Sequence, residues 1–328
     1  MITPQHMRAA VYTQYGPPEV LSIQSLPIPS PGEHELRIRV LFTTVNRTDC
    51  GFRSAEYVIS RLFSGLLKPR IKVLGCEFSG IIDAVGSGVT RFKPGDAVFG
   101  FNDKRFGAYA EFMVLHENDA IVKIPPGVSF QQAAALSEGA HYALCIIRAA
   151  QLKERQRVLV YGATGAIGSA AIQLLHALNI EVTAVCLSEH FGLLENKGVN
   201  RFIDYTKNDY STEGIQYDFV FDAVGKSSWG KAKNALTNQG KYISTELGKN
   251  GENIWKAILH KLKRGKRLLF PLPSVSAKDL QYFAQLAATH QFVPLIDRVY
   301  NFDEIVEATR YVEQGKKMGN VILRIAQP

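Results

Sequence analysis

The chain has 328 residues, 46% of them hydrophobic, and a formal net charge of +8. That length suggests about two domains with ample core, and no apolar run is long enough to span a bilayer. The opening MITPQHMRAAVYTQYG lacks the apolar segment of a signal peptide. Four cysteines scattered singly (Cys50, Cys76, Cys145, Cys186) argue against a disulfide framework and for a reducing, cytoplasmic setting. The basic balance suits an anionic ligand, a solvated surface or nonspecific nucleic-acid affinity equally well, so charge alone names no specific nucleic-acid partner.

Residues 1–124 read as a β-rich region. Arg8–Tyr12, Glu35–Val45, Phe78–Val85 and Ala108–Val114 alternate or run apolar between turns such as Pro31-Gly32 and Lys93-Pro94-Gly95-Asp96. Pro125-Pro126-Gly127 marks a domain boundary, and the alanine-rich stretch Phe130–Ala150 reads as helix. From Arg157 onward strands and helices alternate. The expected strands are Val158–Tyr161, Val182–Cys186, Arg201–Ile203, Phe219–Asp222, Lys241–Ser244 and Arg267–Phe270, followed by a helix over Ala277–Thr289. Six strands with helical crossovers imply a doubly wound parallel sheet over 125–290, an α/β fold. The tail reverts to strand, helix (Phe302–Gln314) and strand, and residues 291–328 are expected to complete the N-terminal domain.

The densest signal is the βαβ unit Arg157–Glu189. A buried-strand run ends in the turn Gly162, Ala163, Thr164, Gly165, Ala166, Ile167, Gly168, and a helix with one apolar face follows. Read against G-x-G-x-x-G, Ala163 takes the first glycine position. Such a turn lets the backbone approach a pyrophosphate, while the helix N-terminus offers unpaired N–H groups and the positive dipole end. A dinucleotide is the expected ligand. NAD enzymes usually place Asp or Glu at the end of the second strand, on the ribose 2′-OH. Cys186 stands there, and Ser188 can donate a hydrogen bond, so nothing at that strand end repels a 2′-phosphate; Glu189, directly after, counts against it.

At this point the sequence resembles the medium-chain dehydrogenase/reductase superfamily, in its zinc-independent quinone oxidoreductase-like branch. The resemblance is carried in order by Val45-Asn46-Arg-Thr-Asp49, Leu74-Gly75-Cys76-Glu77-Phe-Ser-Gly80, Phe92-Lys-Pro-Gly95-Asp96-Ala-Val-Phe-Gly100 and Gly107-Ala-Tyr109-Ala-Glu111. Further on come Tyr161-Gly-Ala-Thr-Gly-Ala-Ile-Gly168, Ile203-Asp204-Tyr205, Phe221-Asp222-Ala-Val-Gly225 and Gly315-Lys-Lys-Met-Gly-Asn320-Val. It implies a GroES-like β-rich catalytic domain plus a Rossmann domain, with the ligand in the cleft between them. It also implies hydride transfer from a nicotinamide to a quinone or an α,β-unsaturated carbonyl. Alternatives are an enoyl-thioester or aldehyde/ketone reductase, and a non-catalytic NADPH-binding redox sensor.

Zinc alcohol dehydrogenases of this superfamily hold a catalytic zinc on Cys, His and Cys; the matching positions here are Asn46, Cys76 and Glu138, and between Gly100 and Ile121 there is no cysteine for a structural zinc. One amide, one thiol and one carboxylate make a poor tetrahedral set, so no metal is expected. The resemblance places Tyr205 near the adenosine ribose, and relatives often carry Lys or Arg in the loop after Ser188, where this chain has Glu189 and His190. NADPH is favoured over NADH. Asn46 is the candidate to polarise the acceptor oxygen, with a loop-capping asparagine as its alternative, and Tyr57 the candidate second donor. Asn320, and Ala223 and Val224 at a late strand end, complete the expected cofactor contacts. His141 and Tyr142 fall where relatives contact the carboxamide. The basic segment Trp255–Arg267 reads as a solvated amphipathic helix, and Arg267–Phe270 matches the strand through which relatives form homodimers.

Overall fold

Residues 6–55, 61, 64–261 and 264–327 are described in the computed structural model of this chain. It divides into two units, Met1–Glu138 with Val275–Pro328, and Gly139–Ser274.

In the first unit β1 (His6–Val11) pairs antiparallel with β2 (Ser22–Pro27). The hub is β3 (Glu35–Val45), which pairs antiparallel with β4 (Glu77–Val85), with β6 (Phe112–His116) and, from the far end of the chain, with β15 (Asn320–Arg324). Beyond β4 the sheet continues through β5 (Ala97–Phe101) and β7 (Ile121–Lys123), and β14 (Ile296–Asn301) lies outside β15. The sequence of β3 explains its place. Leu36, Ile38 and Val40 alternate into the main core with Phe78, Val98 and Met113, while Leu41 and Phe42 enter a second cluster with Ala134, Ala135 and Ile322. A strand buried on both faces at one end must be covered on both sides. Helix α1 (Arg47–Ser54) follows it directly, and α2 (Phe130–Ala133) packs on β3 and β4.

In the second unit six parallel strands stand in the order β10-β9-β8-β11-β12-β13. In chain order these are β8 (Arg157–Tyr161), β9 (Glu181–Cys186), β10 (Arg201–Asp204), β11 (Tyr217–Asp222), β12 (Leu236–Ser244) and β13 (Arg267–Leu268). The order reverses beside β8, so the crevice outside the carboxyl ends of β8 and β11 is the topological switch point. Val158, Leu159, Val160, Phe219, Val220 and Phe221 are fully buried, as the central strands of a two-sided sheet must be. The crossovers include α4 (Ala166–Ala177), α5 (Trp229–Ala235) and α6 (Glu252–His260).

Several expectations shift. The helix expected over Phe130–Ala150 is interrupted at residues 134–137, and α3 (Glu138–Ala150) starts afresh. The interruption is held by remote partners: Ser137 Oγ bonds the Gly100 carbonyl and the Glu138 N–H donates to Glu77 Oε2 at 3.0 Å. Because α2 packs on β3 and β4, and α7 (Ala277–Ala288) on β7, both helices group with the first unit. The unit boundaries therefore fall near 138 and 275 rather than near 125 and 290. Strand Arg267–Phe270 shortens to Arg267–Leu268, Ala108–Val114 gives way to Phe112–His116, and three short strands (β2, β5, β7) had no counterpart in the sequence reading. Residues 262 and 263 of the basic segment lie outside the described residues.

Helix α4 approaches β8 so closely that only glycine fits. A Cβ on Gly168 would stand 2.2 Å from the Gly162 carbonyl oxygen and 3.0 Å from Ala163 Cα, both backbone atoms that cannot swing aside. Gly168→Ala is expected to lower stability by about 1–3 kcal/mol, as overpacking does, read as a fall in urea midpoint. Gly192→Ala, with open space around its would-be Cβ, is expected to stay within about 0.5 kcal/mol. Equal midpoints for the two variants would refute the crowding argument.

Candidate functional site

In the second unit, β8 ends at Tyr161 and Gly162 turns the chain at φ +78°, a left-handed conformation that favours glycine. The Gly162 and Ala163 N–H groups both donate to the Val185 carbonyl, and Gly165 N–H donates back to Gly162 O, so the turn is braced against β9. Gly165 is the N-cap of α4 and makes no side-chain cap bond. The N–H groups of the first turn at Ala166, Ile167 and Gly168 thus lie at the positive end of the helix dipole without a side-chain cap, an arrangement able to receive an anion. Val224 packs on Gly162: a Cβ there would lie 2.5 Å from Val224 Cγ1. The turn Gly162–Gly168, Thr164 included, and Ala223–Val224 are therefore brought together. This backbone cradle fits a dinucleotide pyrophosphate.

Two buried aspartates order the neighbouring loops. At the end of β11, Asp222 Oδ1 accepts from the N–H groups of Val224 (3.3 Å) and Lys226 (3.2 Å), and Oδ2 from Ser227 N–H (2.9 Å), Tyr242 (3.2 Å) and Ser244 (3.3 Å). Burial raises its pKa above the ordinary value even so. At the end of β10, Asp204 Oδ1 accepts from Thr206 N–H and Oγ1, and Oδ2 from Ser188 N–H at 3.1 Å. The Thr206 and Ser188 bonds hold this carboxyl well below the usual range.

Ser188 and Tyr205 are both exposed, at the ends of β9 and β10. Lys207 joins them: its Nζ donates to Ser188 Oγ at 3.0 Å and lies 3.5 Å from Asp204 Oδ2. Sequence reading did not single out Lys207, which stands 19 residues beyond Ser188. The parallel register that sets Asp204 opposite Cys186 is what places the two loops side by side. Also in this unit, a small recess of about 40 Å³ is lined by Tyr142, Ile243, Ser244, Thr245, Phe270 and Pro271. His141 is buried, its ring centroid 4.5 Å from that of Tyr142.

In the first unit, the residues matching the zinc-ligand positions share one buried cluster. Asn46 is the N-cap of α1: its Oδ1 accepts from Asp49 N–H at 2.9 Å. Its Nδ2 donates to Cys76 Sγ at 3.0 Å and to Thr44 Oγ1 at 3.4 Å. Asp49 accepts from Gly75 N–H (3.0 Å) and Tyr109 (2.9 Å). Thr48 Oγ1 donates to Glu138 Oε1 at 2.8 Å. Burial, with the charge of Glu138 added, pushes Asp49 up to about 8. Burial likewise raises Glu77 and Glu138, and raises the Cys76 thiol, with Asp49, Glu138 and Glu77 adding to it. Lys317, lowered by its own desolvation, is drawn back up by Glu138 and Glu77. Thr48, Glu77 and Lys317 are members the sequence reading had not cast in a role. Tyr57 lies outside the described residues. Asn320 begins β15 in this unit, buried, its Nδ2 donating to the Leu295 carbonyl at 3.0 Å. Among the described residues no group of three or more His, Cys, Asp or Glu is arranged to hold a metal ion.

Comparison with known proteins agrees with both units. Residues 32–126 match the alcohol dehydrogenase GroES-like domain, and residues 197–323 match a family described as zinc-binding dehydrogenase. A quinone oxidoreductase of Pseudomonas aeruginosa is 32% identical over 241 residues, covering 71% of either chain. A chloroplastic NADPH-dependent alkenal/one oxidoreductase of Arabidopsis thaliana is 30% identical over 251 residues, covering 74% of this chain and 63% of that one. The solved quinone oxidoreductase of Coxiella burnetii superposes with a TM-score of 0.86 at 25% identity, over 98% of this chain and 100% of its own. With its glycine cradle and its GroES-like sheet, the chain belongs to the medium-chain dehydrogenase/reductase superfamily, as an NAD(P)H-dependent oxidoreductase of the quinone oxidoreductase-like branch.

Proposed function

We propose that this oxidoreductase is zinc-independent, uses NADPH, and reduces a quinone or an α,β-unsaturated carbonyl. The observation that carries the reading is the contact between Asn46 and Cys76. A zinc site needs a deprotonated thiolate and lone pairs aimed at the ion. Here the Asn46 amide donates its N–H to Cys76 Sγ instead of aiming a lone pair at an ion, and burial above all raises the Cys76 thiol. A site without a Lewis acid does not lower an alcohol's pKa, so reduction of an acceptor that is already electrophilic is the reaction left to it. The names of the relatives, quinone and alkenal/one oxidoreductases, support the same substrate class.

Bound NADPH supplies the hydride. The glycine turn and the first turn of α4 would hold its pyrophosphate, and Ala223–Val224, fixed by Asp222, would border its path toward the nicotinamide. Asn46 would turn one amide N–H from Cys76 or Thr44 to the acceptor oxygen as negative charge develops there. Thr48 and Glu138 form a hydroxyl–carboxyl pair in the same cluster, able to hold a proton. The four cysteines are scattered thiols rather than a disulfide framework, in keeping with a reducing compartment such as the cytoplasm. Among the described residues β13 is the edge strand of its sheet, which supports a homodimer formed across it.

Three measurements test the reading. Purified protein should consume NADPH with a benzoquinone, a phenanthrenequinone or a medium-chain enone, at substoichiometric zinc by elemental analysis. Turnover confined to an enoyl thioester or an aldehyde would move it to those reductases, and tight NADPH binding with no turnover at all would make it a sensor. Asn46→Ser keeps a good helix cap but loses the amide. It should lower kcat on the order of 10²-fold, as loss of one oxyanion donor does, with the urea midpoint nearly unchanged.

The third is the pH dependence of stability. Asp49 sits near 4 when unfolded and about 8 when folded, so folding takes up a proton. Its stabilising contribution is complete below the ordinary carboxylate range and is lost as pH rises through about 8. The urea midpoint should therefore fall from pH 6 to pH 8.5, and fall less steeply in Asp49→Asn. Zinc ligation would release protons instead and make stability rise with pH, the outcome that would sink the metal-free reading.

A further inference from the structure

We infer that Lys207, carried on the loop after β10, is the residue that recognises the 2′-phosphate of NADPH, with Ser188 as its partner and Asp204 as the anchor of both. The inference rests on the NADPH reading and names the side chain that enforces it.

The strand end that decides between the two nicotinamide cofactors is Cys186, where an acid would bind a free ribose 2′-OH. Cys186 is buried and its thiol is raised to about 12, so it contributes no charge. The carboxylate opposite Cys186 in the register is Asp204. Its oxygens already accept Ser188 N–H, Thr206 N–H and Thr206 Oγ1, and its side chain is only 7% exposed. Asp204 is therefore occupied in holding the two loops together and is not presented to a ribose.

What the two loops present beside the exposed Glu189 is a cation. The Lys207 side chain is 66% exposed and its ammonium donates to Ser188 Oγ at 3.0 Å. Of three ammonium hydrogens, one is spent on Ser188 and one is directed to Asp204 at 3.5 Å, which leaves the third toward solvent. Ser188 Oγ accepts from Lys207, while its own hydroxyl is drawn to Asp204, which leaves Lys207 as the donor that faces outward. An exposed ammonium after β10, steadied on the exposed Ser188 after β9 and keeping one N–H toward solvent, forms a cationic seat for a phosphate monoester. The cation missing from the loop after Ser188 is thus supplied by the neighbouring crossover. The exposed ring of Tyr205, two residues before Lys207, stands on the same loop.

Isothermal titration of the full chain with NADPH, NADH, adenosine 2′,5′-bisphosphate and 5′-AMP, without any acceptor, tests this directly. For Lys207→Ala, affinity for NADPH and for the bisphosphate should fall about 10- to 100-fold, the range for a hydrogen bond to a charged group. NADH and 5′-AMP should stay within about twofold. Lys207→Arg should recover most of the loss. In the wild type, added NaCl should narrow the NADPH-over-NADH difference, and this salt effect should shrink in Lys207→Ala. Equal weakening of all four ligands would mean that Lys207 only supports the loop, and unchanged NADPH affinity would mean that it does not meet the phosphate; either overturns the inference while NADPH preference stands. A wild type that binds NADH as tightly as NADPH would overturn the cofactor reading and this inference with it.

Discussion

Much of the second unit depends on how loops are held where the sheet ends. Beyond the carboxyl ends of parallel strands the ladder stops, and the backbone N–H groups of the turns need other acceptors. Two aspartates provide them. Asp222 gathers three backbone N–H groups and two hydroxyls, and Asp204 ties the loop after β9 to its own. Their titration moves in opposite directions for a physical reason. Asp222 is so deeply buried that desolvation outweighs five donors, whereas at Asp204 the donors outweigh a small desolvation cost. The glycine turn then needs only to let α4 come close, because the loops around it are already fixed.

The first unit faces a harder electrostatic problem. Three carboxyl groups, Asp49, Glu77 and Glu138, sit in one buried cluster with Lys317 near them. Three bare charges there would be prohibitive. The cluster is tolerable because the acids are pushed toward their neutral forms and because Gly75, Tyr109, Thr48 and the Glu138 backbone supply donors. A divalent ion would reverse this arrangement by favouring every deprotonated form at once. Asn46 fits the neutral arrangement: it donates to a thiol and caps a helix, two things a metal-binding thiolate at that position would not do.

What could be read from the sequence was whatever the chain carries contiguously. The β8–α4–β9 unit is one uninterrupted segment, so its period change and its glycines are visible without any knowledge of packing. β3 was legible because its alternation is long. The break at residues 134–137 was not, since alanine-rich sequence favours helix throughout and the bonds that interrupt it come from Gly100 and Glu77, far away in the chain. β7 is three residues long and offers no period to detect. In the cluster, Asn46, Cys76 and Glu138 were found by position, but their hydrogen bonds, and the roles of Thr48 and Lys317, exist only once β3, β4 and the tail meet. Lys207 was missed for the same reason: it becomes a neighbour of Ser188 only through the β9–β10 register.

That register also resolves the one residue that spoke against a phosphate at this strand end. Glu189 directly follows Ser188, and a carboxylate next to a phosphate site would ordinarily repel it. Its side chain, however, is 72% exposed and turned toward His190, at 3.4 Å. A solvated charge of that kind is screened by water and salt, and its effect falls away within about 8–10 Å. Lys207 instead would meet the phosphate by direct contact, held in place by Ser188 and by an aspartate that is itself 7% exposed. A preorganised contact outweighs a screened field at comparable range. The acid after Ser188 therefore counts for less than its place in the sequence suggests, and the lysine one crossover away counts for more.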